Sequence, residues 1–132
     1  MIIPTMILSS AIFGIIHLQN LAGGSPLLIV IPQCINAMVF GFLVCAVYMR
    51  CGNVLPTMIL HGLFDFGKMI HITVLQEGGG YDEETAAQIN DLSFFIILAL
   101  EMAAYAAIAF YLIRPSKRGE ICSVWDKKWS RE

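Results

Sequence analysis

Charge is what this sequence has least of. Asp, Glu, Lys and Arg make up 14% of its 132 residues, 8 of them basic and 10 acidic, where soluble domains carry about 25%. The first charged residue is Arg50, and none follows until Asp65. That scarcity excludes a disordered chain, a nucleic-acid binder and a solvated enzyme surface, each of which needs more polar or basic side chains. No basic stretch precedes the apolar residues that begin at Ile2, and Pro4 follows closely, so the N-terminus does not read as a cleavable secretory signal. Either Met1 opens inside a first span or the sequence is the C-terminal part of a longer protein, and the second is the expectation. Cys34, Cys45, Cys51 and Cys122 contain no Cys-x-x-Cys pair and read as reduced thiols. There is no internal repeat and no sign of a second domain.

What is there is apolar: 58% of the residues, including an uncharged run of 49 before Arg50. A bilayer core of about 30 Å takes roughly 20 apolar residues as a helix, so that run alone has room for two spans. The sequence reads as an all-α polytopic membrane bundle of about four transmembrane helices, Met1 to Leu18, Leu27 to Met49, Asn53 to Leu75 and Leu92 to Ile113. The runs are continuous, without the alternation of a barrel strand, and Gly, Pro, Ser and Asn punctuate the turns. Residues 1–113 form the bundle and 114–132 a basic tail. The loop at 76–91 holds Glu77, Asp82, Glu83, Glu84 and Asp91 with no Lys or Arg, whereas the tail holds Arg114, Lys117, Arg118, Lys127, Lys128 and Arg131. Basic flanks stay inside, which puts the tail and Arg50 on the cytoplasmic side of an integral membrane protein, in the plasma membrane if the source is bacterial. The tail reads as solvated chain, with Trp125 and Trp129 offering the alternative of lying along the headgroups.

Ionisable residues inside a membrane are costly unless paired or facing a cavity. Here they are His17, His61, Asp65, Lys68, His71 and Glu101. His61 and Asp65 are four apart and share a helix face, with Lys68 returning near the same direction; His61 lies about 12 Å along the helix from Asn53 at ~1.5 Å per residue. Phe13 and His17 share a face of the first helix, and Gln33 and Asn36 share one on the second, placed to hydrogen-bond across helices. Glu101, near the middle of the fourth span, is protonated or paired. A single such histidine is more often packing than chemistry. Two histidines with a carboxylate one turn from the second point to a polar site between helices, and periodicity alone stops there.

The order Phe13-Gly14-Ile15-Ile16-His17, then Arg50-Cys51-Gly52-Asn53-Val54-Leu55-Pro56, then His61 to Asp65 as HxxxD, resembles the CPBP intramembrane proteases, which include the CAAX prenyl endopeptidases and bacterial Abi proteins. The resemblance covers roughly residues 5–66 and implies an intramembrane endopeptidase. His17 and His61 would carry the catalytic imidazoles, and Asp65 would be a metal ligand or an orienter of the site. It implies membrane lipid around the protein and a membrane-associated peptide or protein substrate, prenylated or not. A His17, His61, Asp65 set suits a divalent metal such as zinc; the same imidazoles can instead stabilise an oxyanion without bound metal, and the sequence leaves both open. The family's upstream EExxxR, whose glutamate would activate water, has no counterpart: Glu83-Glu84 is followed by Gln88. Its absence keeps alive a non-catalytic membrane module, bacteriocin-immunity-like or partner-binding. A small transporter subunit is disfavoured by the lack of repeated broken helices.

The expected topology contains a tension. His17 ends its segment near the outer side and His61 lies toward the cytoplasmic third of its own, so for the two to meet, residues 18–26 must dip inward, the first helix must be offset, or the orientation must be reversed.

Overall fold

The computed structural model describes residues 2–75 and 92–130, with side chains for 2–67 and 95–130. The acidic loop, and the side chains of Lys68 and His71, lie outside the described residues. Among the described residues six α-helices follow one another: α1 Ile2–Ile16, α2 Gln19–Ala22, α3 Leu27–Cys51, α4 Leu55–Leu75, α5 Leu92–Leu112 and, after a 3-10 turn at Pro115–Lys117, α6 Arg118–Trp129. Among the described residues there is no strand, and the chain is an all-α bundle. Three stretches, Ile2–Ala22, Leu27–Cys51 and Phe95–Leu112, are long and apolar enough to cross a bilayer. The 21 residues of α4 reach a similar length, about 32 Å at ~1.5 Å per residue, and carry the polar stripe.

The first span ends later than its sequence suggests. Where a turn was expected from Gln19, the backbone tightens instead: His17 N–H donates to Gly14 O at 3.1 Å, Leu18 to Ile15 O at 2.9 Å and Asn20 to His17 O at 3.1 Å. Such three-residue spacing is that of a 3-10 turn, and it carries α1 into α2 without breaking the span. Asn20 Nδ2 then donates to Gln33 Oε1 at 2.9 Å, fastening α2 to α3.

The turn from α3 to α4 explains part of the Arg50 to Pro56 motif. Gly52 closes α3 at φ +61°, its N–H bonded to Tyr48 O at 2.9 Å, a left-handed position that glycine adopts without strain. Asn53 Oδ1 accepts the N–H of Leu55 at 2.9 Å and so starts α4, and Pro56 sits in the first turn, where its missing N–H has no helical partner to lose.

Helix α3 is the central element. Helix α1 packs antiparallel along it, so closely that a Cβ on Gly14 would come within 2.1 Å of Met38 Cγ and 2.7 Å of the Cys34 carbonyl oxygen. Helix α5 runs parallel to α3, pairing Asn36 with Glu101, Phe40 with Tyr105 and Phe42 with Phe110. At one end, Met6, Leu43, Ala46, Ala109, Ile113 and Ile121 form a common core. The cysteines are free.

Ile121 belongs to α6, so the tail is not simply solvated chain. It is 1% exposed, and around it Trp125 Nε1 donates to Met49 O at 3.1 Å and Lys128 Nζ to Gly52 O at 2.9 Å. These carbonyls lie at the C-terminal end of α3, where intrahelical donors run out. Arg50 pairs with Glu120 at 2.9 Å, and Lys117 bonds the same carboxylate. The two cations, Lys117 foremost, hold the Glu120 carboxyl below its ordinary range.

Candidate functional site

Because α4 is regular at this point, His61 and Asp65 project one turn apart, with His61 Nε2 3.2 Å from Asp65 Oδ2. An ionised carboxylate only accepts, so it favours a proton on Nε2 and fixes the imidazole's orientation.

His17 is held by a different device. Since the tightened turn sends its N–H to Gly14 O, the Phe13 carbonyl is left for the side chain, and His17 Nδ1 lies 3.0 Å from it. A carbonyl accepts, so Nδ1 carries the hydrogen and, in the neutral ring, Nε2 keeps its lone pair.

Both imidazoles meet the ring of Phe13 edge to face, His17 with centroids 5.3 Å apart and His61 with 5.6 Å. The depth conflict raised by the sequence is thereby resolved: the span continues to Ala22, so His17 sits within it and only one helical turn beyond Phe13, which marks the level of His61. On its other side His61 stacks against the buried Phe40, centroids 5.9 Å apart.

Beside this pair runs an apolar groove. A hollow of about 270 Å³ is bordered by Phe13, Val44, Cys45, Thr57, Met58 and His61. A second, of about 320 Å³, shares Ser9 and Cys45 with it and reaches Tyr48, Met49 and Trp125. The His61–Asp65 pair opens outward: the side chain of His61 is 42% exposed and that of Asp65 62%.

The three expected site residues are therefore brought together in part. His61 and Asp65 are paired, and His17 joins them through Phe13. Among the described residues no group of three His, Cys, Asp or Glu side chains stands close enough to hold a metal ion. Gln33 and Asn36 both bond across helices, as their spacing suggested, Asn36 Nδ2 to Glu101 Oε2 at 3.3 Å. What the sequence reading missed is the aromatic support: Phe40 and Tyr105, each one turn beyond a polar residue already singled out, Asn36 and Glu101.

Residues 2–67, half of the chain, match the model of the family described as type II CAAX prenyl endopeptidase Rce1-like. The chain belongs to this family. The Rce1-like match takes in α1, α2, α3 and the first part of α4, and so includes His17, His61 and Asp65, while α5 and α6 lie beyond it. No curated protein and no solved structure matches the chain. An Rce1-like chain whose described helices include three long apolar stretches is an integral membrane protein of the CAAX protease type.

Proposed function

We propose that this chain serves as an intramembrane endopeptidase that hydrolyses a peptide bond of a membrane-associated, prenylated substrate at His17, His61 and Asp65. The observation that carries the reading is the meeting of two imidazoles from separate helices on one phenyl ring, at the head of an apolar groove. The groove suits the isoprenoid, since the surface of its walls is mostly apolar despite the hydroxyls of Ser9, Ser10 and Thr57, and a buried methylene contributes about 0.8 kcal/mol. His61, its Nε2–H held by Asp65, donates from Nδ1 in the form that carries both ring protons to the carbonyl oxygen as it becomes an oxyanion, the contact that stabilises the transition state more than the ground state. The Nε2 lone pair of His17 orients the attacking water. As the water oxygen bonds to the carbonyl carbon, His17 Nε2 takes one of its protons, and that proton passes to the amine nitrogen as the C–N bond breaks.

The glutamate that the family resemblance gives the water's proton has no EExxxR counterpart in 1–132, so the test belongs in membranes holding the natural protein. Cleavage of a prenylated CAAX peptide is expected there, and His17→Ala or His61→Ala should each lower it about a hundredfold or more, the scale of losing one oxyanion donor. Undiminished cleavage in both variants overturns the assignment. The second reading is a partner-binding module without chemistry, and no cleavage by the unchanged protein supports it. A chelator should leave cleavage intact; loss restored by zinc would replace the metal-free account with a zinc site.

A further inference from the structure

Glu101 lies near the middle of α5, the most expensive place for a carboxyl group in a bilayer. Asn36 Nδ2 donates to its Oε2 at 3.3 Å, and the Tyr105 hydroxyl donates to its Oε1. Asn36 is itself buried, so the pair is an interhelical bond shielded from lipid.

One turn further along both helices the bond becomes an aromatic contact. Phe40 follows Asn36 on α3 and Tyr105 follows Glu101 on α5, and their rings meet edge to face at 5.6 Å. Phe40 also stacks on Phe64 of α4, centroids 4.0 Å apart and planes 15° from parallel. Tyr105 meets Phe64 as well, at 5.9 Å. Phe64 and His61 are neighbours on α4, and His61 stacks on the same Phe40. Three rings from three helices thus seat the imidazole, and the only polar atom among them, the Tyr105 hydroxyl, is tied to Glu101.

We infer that Glu101 and Tyr105 are positioning residues for His61. The carboxylate fixes the rotation of the Tyr105 ring through its hydroxyl and fixes α5 against α3 through Asn36. The Tyr105 ring then holds the Phe40 and Phe64 stack, and the stack holds His61 against Phe13, in register with His17. This matters because α4 packs chiefly against α3, so His61 has few other restraints. A displacement of about 1 Å at a reacting group can cost roughly a hundredfold in rate. The inference rests on the proposal that His61 acts in cleavage.

The test is made on the natural protein in its membrane, with kcat and KM read separately for peptide cleavage and with the ring NMR signals of labelled His17 and His61. Tyr105→Phe removes the hydroxyl and keeps the ring; it should lower kcat about tenfold with KM within about twofold. Glu101→Leu should lower kcat by tenfold to about a hundredfold, and Glu101→Gln, which can still bond both neighbours, should recover to within about threefold of the unchanged protein. In Glu101→Leu the His61 ring signals should shift or broaden while those of His17 stay in place. If His61→Ala abolishes cleavage but Glu101→Leu and Tyr105→Phe leave kcat unchanged, the positioning role is overturned and the catalytic reading stands. If kcat falls only in proportion to the folded fraction, the residues are structural and the inference fails. If His61→Ala itself leaves cleavage intact, the catalytic reading fails, and unmoved His61 signals in Glu101→Leu would remove the positioning contact too.

Discussion

Two seams on α3 are built in opposite ways. Along the α1 seam, side chains have been cut to the minimum: Gly14 lies against Met38 and the Cys34 carbonyl, and Gly41 has Phe13 Cδ1 only 3.1 Å from where a Cβ would be. On α4, Gly62 and Gly67 have nothing within 4 Å, and Met58, Leu63 and Phe66 are exposed. In a bilayer, helices associate through close packing and interhelical hydrogen bonds rather than by escaping water. The α1 seam therefore carries stability, and α4, held by a few rings, carries two of the three candidate site residues, His61 and Asp65, while His17 follows on from α1. Close packing and loose ring contact have been divided between two faces of one helix.

That division can be broken or sharpened experimentally, beginning with the largest effect. His61→Ala, expected to remove cleavage, should leave unfolding in detergent or bilayers nearly unchanged, because the side chain is 42% exposed; a large loss of stability would show that α4 also holds the bundle together. Gly14→Ala should destabilise by about 1–3 kcal/mol, the range for forcing atoms into a filled seam, with activity falling only as the folded fraction falls. Normal stability in that variant would mean that α1 and α3 are further apart than described. Gly62→Ala should gain about 0.5–1 kcal/mol, the helix-interior difference between the two residues. Should it instead abolish cleavage, the open face of α4 is where substrate or a partner helix lies.

The smallest expected effect is at the docked tail. The Glu120 carboxyl is depressed by Lys117 and Arg50, so the stabilisation of the docked state is present above the ordinary carboxyl range, near 4.5, and is lost as pH falls through the lower folded value. Trp125 emission, read in a Trp129→Phe background, should shift only in acid. Glu120→Gln should flatten that acid response, and an unaltered profile would assign it to another group.

Much of this organisation was legible in the residues. The start of α3 at Leu27 followed from the Gly-Gly-Ser-Pro that interrupts the apolar run before it, and the i,i+4 spacing of His61 and Asp65 gave their pairing. The end of the first span did not follow, because a 3-10 tightening at His17 has no composition signal: Gln19 and Asn20 look like a turn until Gln33 is found opposite. The docking of α6 was hidden for a related reason. Its charged residues suggested solvent, yet Ile121, Trp125 and the long stem of Lys128 cover the exposed carbonyl end of α3, and such a role depends on a neighbour 76 residues away. The aromatic seat of His61 was equally invisible, since Phe40 and Tyr105 are ordinary apolar-span residues until three helices are brought together.

The Trp125 indole, described above as a donor to the Met49 carbonyl, also stands in the wall of the second hollow. Seen from His61 it is an end stop. Between Gly41, beside Phe13, and Tyr48, beside the indole, α3 advances about 10 Å at ~1.5 Å per residue. The tail helix, through Trp125, thus walls the far end of the second hollow, and the Arg50–Glu120 pair ties that helix to the end of α3.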